Sequence, residues 1–457
     1  MAPTVEEFYR GKSIFLTGGT GFVGKALIEK LLRSLPDIKA LYLLMRQKKG
    51  VSCEDRLKDL CSKQVFDLLR EKNPEGFKKI KIISGDITEE GLGISEDDKR
   101  LLREECNIIF HSAACVRFDQ KLKDAVNMNT SGTLRMLTLA ESMKNLEVFV
   151  HLSTAYCRCD LEVLEERVYR AVHPPRKIMD LVQWMDDPTL EYLEPKLISS
   201  EPNTYSYTKA ITEDLVDEYS GKFPVAIARP SIVTAVWKEP IPGWVDNLNG
   251  PTGLVIGSGK GEKWVNEYPY SVALWYPGGS IKSYRLAHQV DVFLSHVVPA
   301  YLVDALLFLL GKKTFMINLQ KRISHGLNVL QYYTTKEWHF RNNNYKSLRT
   351  RITTEENDTF YTDPSLLDPD EYLKNYVLGT RQFCCKEDPA NLPRARKLHK
   401  IRYIADRFIK LLFIILVLWT LYSHSQTFTS SVELLDSTLK SIPPISTAAQ
   451  EAHELLP

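Results

Sequence analysis

The stretch that decides the fold is Thr17-Gly18-Gly19-Thr20-Gly21-Phe22-Val23-Gly24, which follows a short apolar run and opens a helical pattern. A tight glycine turn in this position brings backbone N–H groups and the N-terminus of a helix against a pyrophosphate. We therefore predict that all eight residues belong to a dinucleotide site, and that Gly24 allows close packing of the helix. A purely structural turn is the alternative, and the strand–turn–helix setting argues against it.

Further apolar runs extend outward from this motif, and helical patterns separate them. The runs that we predict as strands are 13–16, 40–45, 81–84, 107–110, 147–152 and 225–228. Strands that alternate with helices predict an α/β fold with a doubly wound, parallel sheet of the Rossmann type.

Composition excludes some classes of protein and suggests how the chain is divided. The net charge of the 457-residue chain is only +2, which gives no general electrostatic basis for binding nucleic acid. Its eight cysteines show neither zinc spacing nor a disulfide framework, so we expect reduced thiols and no metal site. Four regions are predicted: the nucleotide-binding domain at 1–261, a mainly helical C-terminal domain at 262–390, a basic flank with a membrane segment at 391–425, and a poorly ordered tail at 426–457.

The ends of the next three strands suggest how a cofactor would be held. Arg46 stands where an NAD site usually has an acid, and a guanidinium suits a 2′-phosphate, so NADPH is predicted unless Arg46 belongs to a solvated basic loop. Asp86, followed by Ile87, is equally expected to accept from the adenine amino group or to cap the next turn. Ala113 is small enough for the backbone to lie close to the cofactor, whereas His111 is predicted to be a packed core histidine.

A Tyr-x-x-x-Lys pattern supplies the candidate catalytic pair. Tyr205 and Lys209 are one helical turn apart and can point into one cleft, whereas Tyr207 faces elsewhere. A nearby ammonium is expected to lower the pKa of the phenol, which can then pass a proton to a developing oxyanion. Ser153 and Thr154 alternate faces after the fifth strand, so only one can add a hydroxyl to this pair; Thr154 is preferred.

Two cysteines offer a different mechanism. Cys115 and Cys157 could form a covalent thioester, but the sequence places no histidine beside either. Small buried thiols are the favoured interpretation.

These residues resemble the extended short-chain dehydrogenase/reductases and, within them, the eukaryotic fatty acyl-CoA reductases with a C-terminal "sterile" domain. The likeness covers most of residues 10–425. Besides the glycine loop, the stretches that carry it are 151–156, 203–210, 229–233, 237–246, 249–253, 275–277 and 298–304. In one respect the chain departs from the family: a Rossmann-domain segment that normally follows Gly261 is missing, and Glu262 comes directly after it.

The resemblance implies reduction of long-chain acyl-CoA by NADPH to a fatty alcohol through the aldehyde, with release of CoA. It implies that Tyr205 and Thr154 hold the oxyanion and that Lys209 also contacts the cofactor ribose. Two alternatives stay open: a related dehydrogenase acting on a sterol or a sugar nucleotide, and an inactive NADP-binding membrane protein that lacks part of the substrate region. The sequence does not indicate the oligomeric state.

An apolar run near the C-terminus predicts attachment to membrane lipid. Residues 411–422 are almost purely apolar, although a full span needs about 20 residues. The basic residues between 394 and 402 precede this run, which by the positive-inside rule leaves the catalytic domain in the cytosol. We expect an intracellular membrane, peroxisomal or endoplasmic reticulum. A hairpin that includes 290–310 and a buried core helix are the alternatives.

Overall fold

A parallel β-sheet organises the larger part of the molecule. The computed structural model describes residues 3–247, 250, 252, 262–271, 273, 276 and 284–440. Its strands are β1 Ser13–Thr17, β2 Ala40–Met45, β3 Ile80–Ser84, β4 Cys106–His111, β5 Val148–Leu152, β6 Val163–Leu164, β7 Val225–Ala228 and β8 His339–Phe340. Six of them form one sheet in the order β3-β2-β1-β4-β5-β7, and all five pairings are parallel. The six predicted strands and the doubly wound fold class are confirmed.

The alternation of side chains along β1 shows why the sheet is covered on both faces. Ile14 and Leu16 belong to one apolar cluster, whereas Phe15 belongs to the cluster on the opposite face. All three side chains are fully buried. A strand that is buried on both faces reads as a continuous apolar run, which is how the sequence identifies it.

Helices account for most of the remaining chain. They are α1 Val5–Tyr9, α2 Phe22–Ser34, α3 Cys53–Cys61, α4 Asp67–Lys72, α5 Glu96–Glu105, α6 Leu122–Val126, α7 Gly132–Glu141, α8 Pro175–Trp184, α9 Asp187–Leu197, α10 Thr204–Asp217, α11 Glu262–Glu267, α12 Arg285–Val292, α13 Val298–Leu309, α14 Met316–Thr334, α15 Asn343–Ser347, α16 Pro369–Gly379 and α17 Leu392–Lys440. A π-helical turn joins α6 to α7, another joins α12 to α13, and a third follows α16.

The chain divides into two compact units. The larger contains residues 1–261 and 279–386, and the smaller contains 262–278 and 387–457. In the smaller unit, the Arg402 guanidinium donates to the carbonyl oxygens of Tyr270 and Ser271 at 3.1 and 2.7 Å. His399 lies 2.9 Å from the Asn266 side-chain oxygen, so α17 is tied to the segment around α11 by side-chain hydrogen bonds.

Within the larger unit, the C-terminal segment is joined to the nucleotide-binding part. Strand β8 pairs in parallel with β6, a strand pair that the sequence does not predict. Gly379 in α16 packs directly on the backbone of Gly243, and a Cβ at either glycine would overlap main-chain atoms of the facing segment. The region predicted to be mainly helical therefore also contributes a strand and a close backbone contact.

Asp304 fixes the start of α14. Its carboxylate accepts hydrogen bonds from the backbone N–H groups of Phe315, Met316 and Ile317, each at 2.9 Å. These are N–H groups that the first turn of a helix leaves without an internal partner. Asp304 lies in α13 and is buried, so the bonds hold α13 and α14 together as a helical hairpin.

The C-terminal region differs from its prediction in one respect. Helix α17 continues to Lys440, so the tail predicted to be poorly ordered from 426 is helical as far as that residue. Residues 441–457 lie outside the described part of the chain. The predicted junction at Gly261 and the motif residues 249, 251, 253, 275 and 277 also lie outside it.

Candidate active site

The glycine turn connects β1 to α2 and is shaped by two close approaches. Gly18 has φ +75°, and a Cβ there would overlap the backbone of Ser112 and Ala113 after β4. A Cβ at Gly24 would overlap the Gly18 carbonyl oxygen and the Gly19 Cα. Only glycine fits both positions, as the motif predicts, and the turn lies tightly against the first turn of α2.

The residues just before α2 are exposed to solvent, and the start of the helix has no side-chain cap. Gly21 precedes the helix with extended backbone and no side-chain cap, and both Thr20 and Gly21 are exposed. Phe22 and Val23 are half-buried, and the ring of Phe22 stacks on Trp244 with centroids 4.9 Å apart. Uncapped N–H groups at a helix start, beside a backbone cradle, fit a phosphate group.

Thr17 connects the glycine turn to the end of β4. Its hydroxyl accepts from the Ala113 N–H at 3.2 Å and lies 2.8 Å from His111 Nδ1. The other ring nitrogen of His111 lies 2.9 Å from the Thr133 hydroxyl. Burial lowers the pKa of His111 to about 3, so the imidazole is neutral. The prediction of a packed core histidine is confirmed.

Arg46 and Asp86, which are predicted to bind the adenosine portion of the cofactor, contact each other. Arg46 Nη1 donates to Asp86 Oδ2 at 2.7 Å, and 48% of the Arg46 side chain remains exposed. Asp86 Oδ1 accepts from the Thr88 N–H at 3.0 Å, so Asp86 caps its turn, one of the two roles left open by the sequence. Although burial opposes it, the hydrogen bonds from Thr88 and Arg46 lower the pKa of Asp86. Ile87 is buried, and its carbonyl accepts from Arg135 at 2.9 Å.

Helix α10 places the Tyr-x-x-x-Lys pattern beside the end of β5. Asn203 caps the helix, with its side-chain oxygen accepting from the Ser206 N–H at 2.9 Å. Lys209 is 3% exposed, and its ammonium donates to the Leu152 carbonyl oxygen at 2.6 Å. Burial lowers the pKa of Lys209 to about 8, and the nearby Glu213 partly offsets this effect. Tyr205 is half-buried on the same helix.

The prediction that the pKa of Tyr205 is lowered is wrong, because of the surroundings of its hydroxyl. Burial raises the pKa of Tyr205 to about 12, and a hydrogen bond with Thr154 only partly opposes the rise. The Lys209 ammonium is bound to the β5 carbonyl and does not contribute to the shift. Tyr205 is therefore a neutral phenol that carries its proton at physiological pH.

Of the two candidate hydroxyls, Thr154 is the one beside Tyr205. Ser153 is buried, and its Oγ has no hydrogen-bond partner among the described residues. Tyr207 points away as predicted, because its hydroxyl lies 3.1 Å from His173 Nδ1. Helix α10 and the end of β5 thus bring Tyr205, Lys209 and Thr154 to the carboxyl end of the sheet.

Cys157 does not have the surroundings of a reactive thiol. Cys157 is buried, and burial raises the pKa of its thiol. Cys115 is half-buried, with its Sγ 3.9 Å from the Gln120 side chain. Within the ranges that the structure describes, no group of three or more His, Cys, Asp or Glu side chains is arranged to hold a metal ion.

Sequence reasoning missed an aromatic cluster next to Tyr205. Phe118 lies 5.6 Å from the Tyr205 ring and 5.3 Å from that of Tyr333, and Tyr156 meets Tyr333 edge-on at 5.3 Å. Trp338 packs against Tyr156 at 5.3 Å. Tyr333 and Trp338 come from the C-terminal segment, more than 120 residues after Tyr205. Nothing in the local pattern around them indicates this contact.

Comparison with known proteins gives matches along most of the chain. A family model described as male sterility protein, of the NAD-binding type, matches residues 16–269, and a second, the Sterile model, matches 295–387. Fatty acyl-CoA reductase 1 of Rattus norvegicus is 37% identical over 482 residues, covering 92% of this chain and 93% of the relative. Fatty acyl-CoA reductase 2 of Mus musculus is 36% identical over 480 residues, covering 91% and 93%. Both alignments exceed the 457 residues of this chain, so each relative has residues with no counterpart here.

Among solved structures, the terminal reductase domain of the myxalamid biosynthetic pathway is 28% identical, with a TM-score of 0.36, and covers 50% of both chains. An archaeal thiolation-reductase di-domain is 18% identical, with a TM-score of 0.44, and covers 84% of this chain and 79% of its own.

Proposed function

Since the chain belongs to the fatty acyl-CoA reductase family, we propose that it reduces a long-chain fatty acyl-CoA to the fatty alcohol and releases CoA. The identity of 37% over 92% of the chain carries this proposal. The site supports it, because a protonated phenol, a buried ammonium and a threonine hydroxyl lie together at the carboxyl end of the sheet. Ligands of doubly wound α/β folds bind at that end.

NADPH is the proposed form of the nicotinamide cofactor. The support is Arg46, whose half-exposed guanidinium stands at the end of β2 and is positioned by Asp86. A planar guanidinium can bind a 2′-phosphate through paired hydrogen bonds. Gly18, Gly24 and the uncapped start of α2 would hold the pyrophosphate. We further propose that Ile87 and Ala113 lie against the adenosine portion and that Lys209 contacts the ribose.

The proposed chemistry assigns a role to each side chain. A bound NADPH would supply hydride to the thioester carbonyl carbon, and a second NADPH would supply hydride to the carbonyl carbon of the resulting aldehyde. Tyr205 and Thr154 donate hydrogen bonds to the carbonyl oxygen as negative charge develops on it. The Lys209 ammonium is still cationic at neutral pH with a pKa of about 8, and it favours that charge electrostatically. CoA departs as the thiolate, and in the second reduction Tyr205 donates its proton to the oxygen of the aldehyde to complete the primary alcohol.

Replacement of one tyrosine hydroxyl tests this assignment. Purified protein is supplied with NADPH and palmitoyl-CoA, and fatty alcohol is measured. Tyr205→Phe should lower turnover by at least about a hundredfold, because it removes a general acid and an oxyanion donor together, while NADPH binding stays close to that of the unchanged protein. Tyr192→Phe is the matched control, since Tyr192 is 75% exposed. Normal turnover by Tyr205→Phe would exclude the assigned role, and absence of alcohol with the unchanged protein would favour an inactive NADP-binding protein.

We also propose that the protein attaches to an intracellular membrane, peroxisomal or endoplasmic reticulum, with its catalytic domain in the cytosol. Among the described helices, one stretch, His288–Leu309, is long and apolar enough to cross a membrane. The predicted segment 411–422 lies within α17, and its large apolar side chains are exposed. Flotation with phosphatidylcholine–phosphatidylserine vesicles tests attachment. Full recovery of the protein in the lipid-free fraction would refute it.

A further inference from the structure

Two neighbouring tyrosines at the end of α14 contact the active-site region in different ways. The Tyr333 hydroxyl accepts from Asn203 Nδ2 at 2.9 Å and lies 2.8 Å from Ser206 Oγ. The Tyr332 hydroxyl instead donates to the Cys159 carbonyl oxygen at 3.0 Å. Of the two tyrosines, only Tyr333 forms hydrogen-bond contacts with helix α10 and its N-cap.

The contact of Tyr333 involves the residues that define the start of α10. Asn203 is the N-cap, and its side-chain oxygen accepts from the Ser206 N–H. One hydroxyl from the C-terminal segment therefore binds both the cap and the first turn. Tyr205 lies between Asn203 and Ser206 in the sequence, so its Cα position depends on this turn.

The rings strengthen the same connection. The Phe118 ring contacts both the Tyr205 ring and the Tyr333 ring, with centroids 5.6 and 5.3 Å away. Ser206 is fully buried and Asn203 is 8% exposed. Water therefore cannot readily replace the Tyr333 hydroxyl as their partner. Its loss would take away the acceptor of the Asn203 amide and leave Ser206 Oγ with only the Cys159 Sγ at 3.9 Å.

We propose that Tyr333 is a positioning residue for Tyr205: it fixes the first turn of α10 through Asn203 and Ser206, and thereby aims the phenol at the substrate carbonyl. This role rests on the proposed function. It also gives the C-terminal segment a direct part in catalysis, because the segment completes a site that the nucleotide-binding domain begins. A displacement of the reacting group by about an ångström can cost on the order of a hundredfold in rate.

The experiment compares two substitutions of equal size on adjacent residues. Tyr333→Phe should lower kcat with palmitoyl-CoA by about ten- to a hundredfold, with KM and the NADPH dissociation constant within about twofold of the unchanged protein. Tyr332→Phe should keep kcat within about twofold, because Trp338 Nε1 also donates to the Cys159 carbonyl oxygen, at 3.3 Å. Thermal unfolding of both variants is measured to separate positioning from general stability.

A second measurement needs no substrate. Amide hydrogen exchange at Ser206 and the following residues of α10 should be faster in Tyr333→Phe and unchanged in Tyr332→Phe. Equal kcat values for the two variants would overturn the proposal, as would a loss of kcat that follows a parallel loss of NADPH binding and stability. If the unchanged protein does not reduce palmitoyl-CoA, the proposed function fails by itself. The exchange rates then decide whether Tyr333 holds the first turn, and equal rates in both variants would refute it.

Discussion

Gly24→Ala is the sharpest test of the cofactor site, because the three atoms nearest to the added methyl group all belong to the main chain. A Cβ at position 24 would overlap the Gly18 carbonyl oxygen, the Gly18 carbonyl carbon and the Gly19 Cα. None of these atoms can rotate away as a flexible side chain would. The glycine turn or the start of α2 must therefore move to accommodate it.

The size of the effect follows from what that movement disturbs. Hydrogen bonds from N–H groups to a charged partner contribute roughly 1.5–3 kcal/mol each. Loss of one such bond to the pyrophosphate corresponds to about a ten- to hundredfold weaker NADPH complex. Displacement of α2 would also affect Phe22, whose ring stacks on Trp244, so some loss of stability is expected as well.

The assay is equilibrium binding of NADPH, followed by its fluorescence, with thermal unfolding as a check on folding. Gly221→Ala is the matched control, because a Cβ there meets nothing within 4 Å and its backbone is outside the left-handed region. It should bind NADPH as the unchanged protein does. If Gly24→Ala binds NADPH with unchanged affinity, the glycine turn does not hold the pyrophosphate as argued.

Three further predictions concern specificity, pH and packing. Arg46→Ala should weaken NADPH binding by about tenfold or more while leaving NADH binding nearly unchanged, and equal losses for both cofactors in titrations would contradict the role of its guanidinium. Burial raises the pKa of Glu201 from 4.5 to about 8. Between these two pH values the folded protein keeps a proton that the unfolded chain has lost, so the free energy of unfolding falls as pH rises through that window. In urea unfolding at pH 5 and pH 8, Glu201→Gln should lack that fall in the free energy of unfolding. The same pH dependence in the variant and in the unchanged protein would refute the assignment. Gly379→Ala should destabilise the fold by about 1–3 kcal/mol through overlap with the facing backbone, whereas Gly326→Ala, in open space on α14, should stabilise it by up to about 1 kcal/mol, and urea unfolding distinguishes the two.

The sheet could be predicted from the sequence because its signal is local. Each central strand is a short apolar run, since residues such as Ile14 and Phe15 are buried on opposite faces. The glycine turn is local as well, and the positive φ of Gly18 explains its residue type. The i, i+4 spacing likewise places Tyr205 and Lys209 on one helix, because helical geometry depends only on separation along the chain.

What the sequence did not predict depends on contacts between distant segments. The pKa of Tyr205 is set by burial and by Thr154, not by Lys209, and neither effect is encoded in the spacing. The β6–β8 pair joins segments about 175 residues apart. The Tyr333 contacts with α10 were not predicted for the same reason. An aromatic residue in a polar helix has many potential partners, and only the fold selects one.

The Asp304 carboxylate restricts how the apolar stretch His288–Leu309 can meet lipid. The three N–H groups that bind this carboxylate belong to the start of α14. If His288–Leu309 crossed the membrane without α14, the Asp304 carboxylate would enter the hydrocarbon without these partners, at a cost of several kcal/mol. Entry together with α14 would submerge Lys321 and Arg322 as well. If the proposed attachment uses this stretch, a shallow arrangement would avoid both penalties, with the exposed side chains of Leu302, Leu306 and Leu309 among the acyl chains and Asp304 on the protein side. The protein would then be attached to one surface of the bilayer and would not span it.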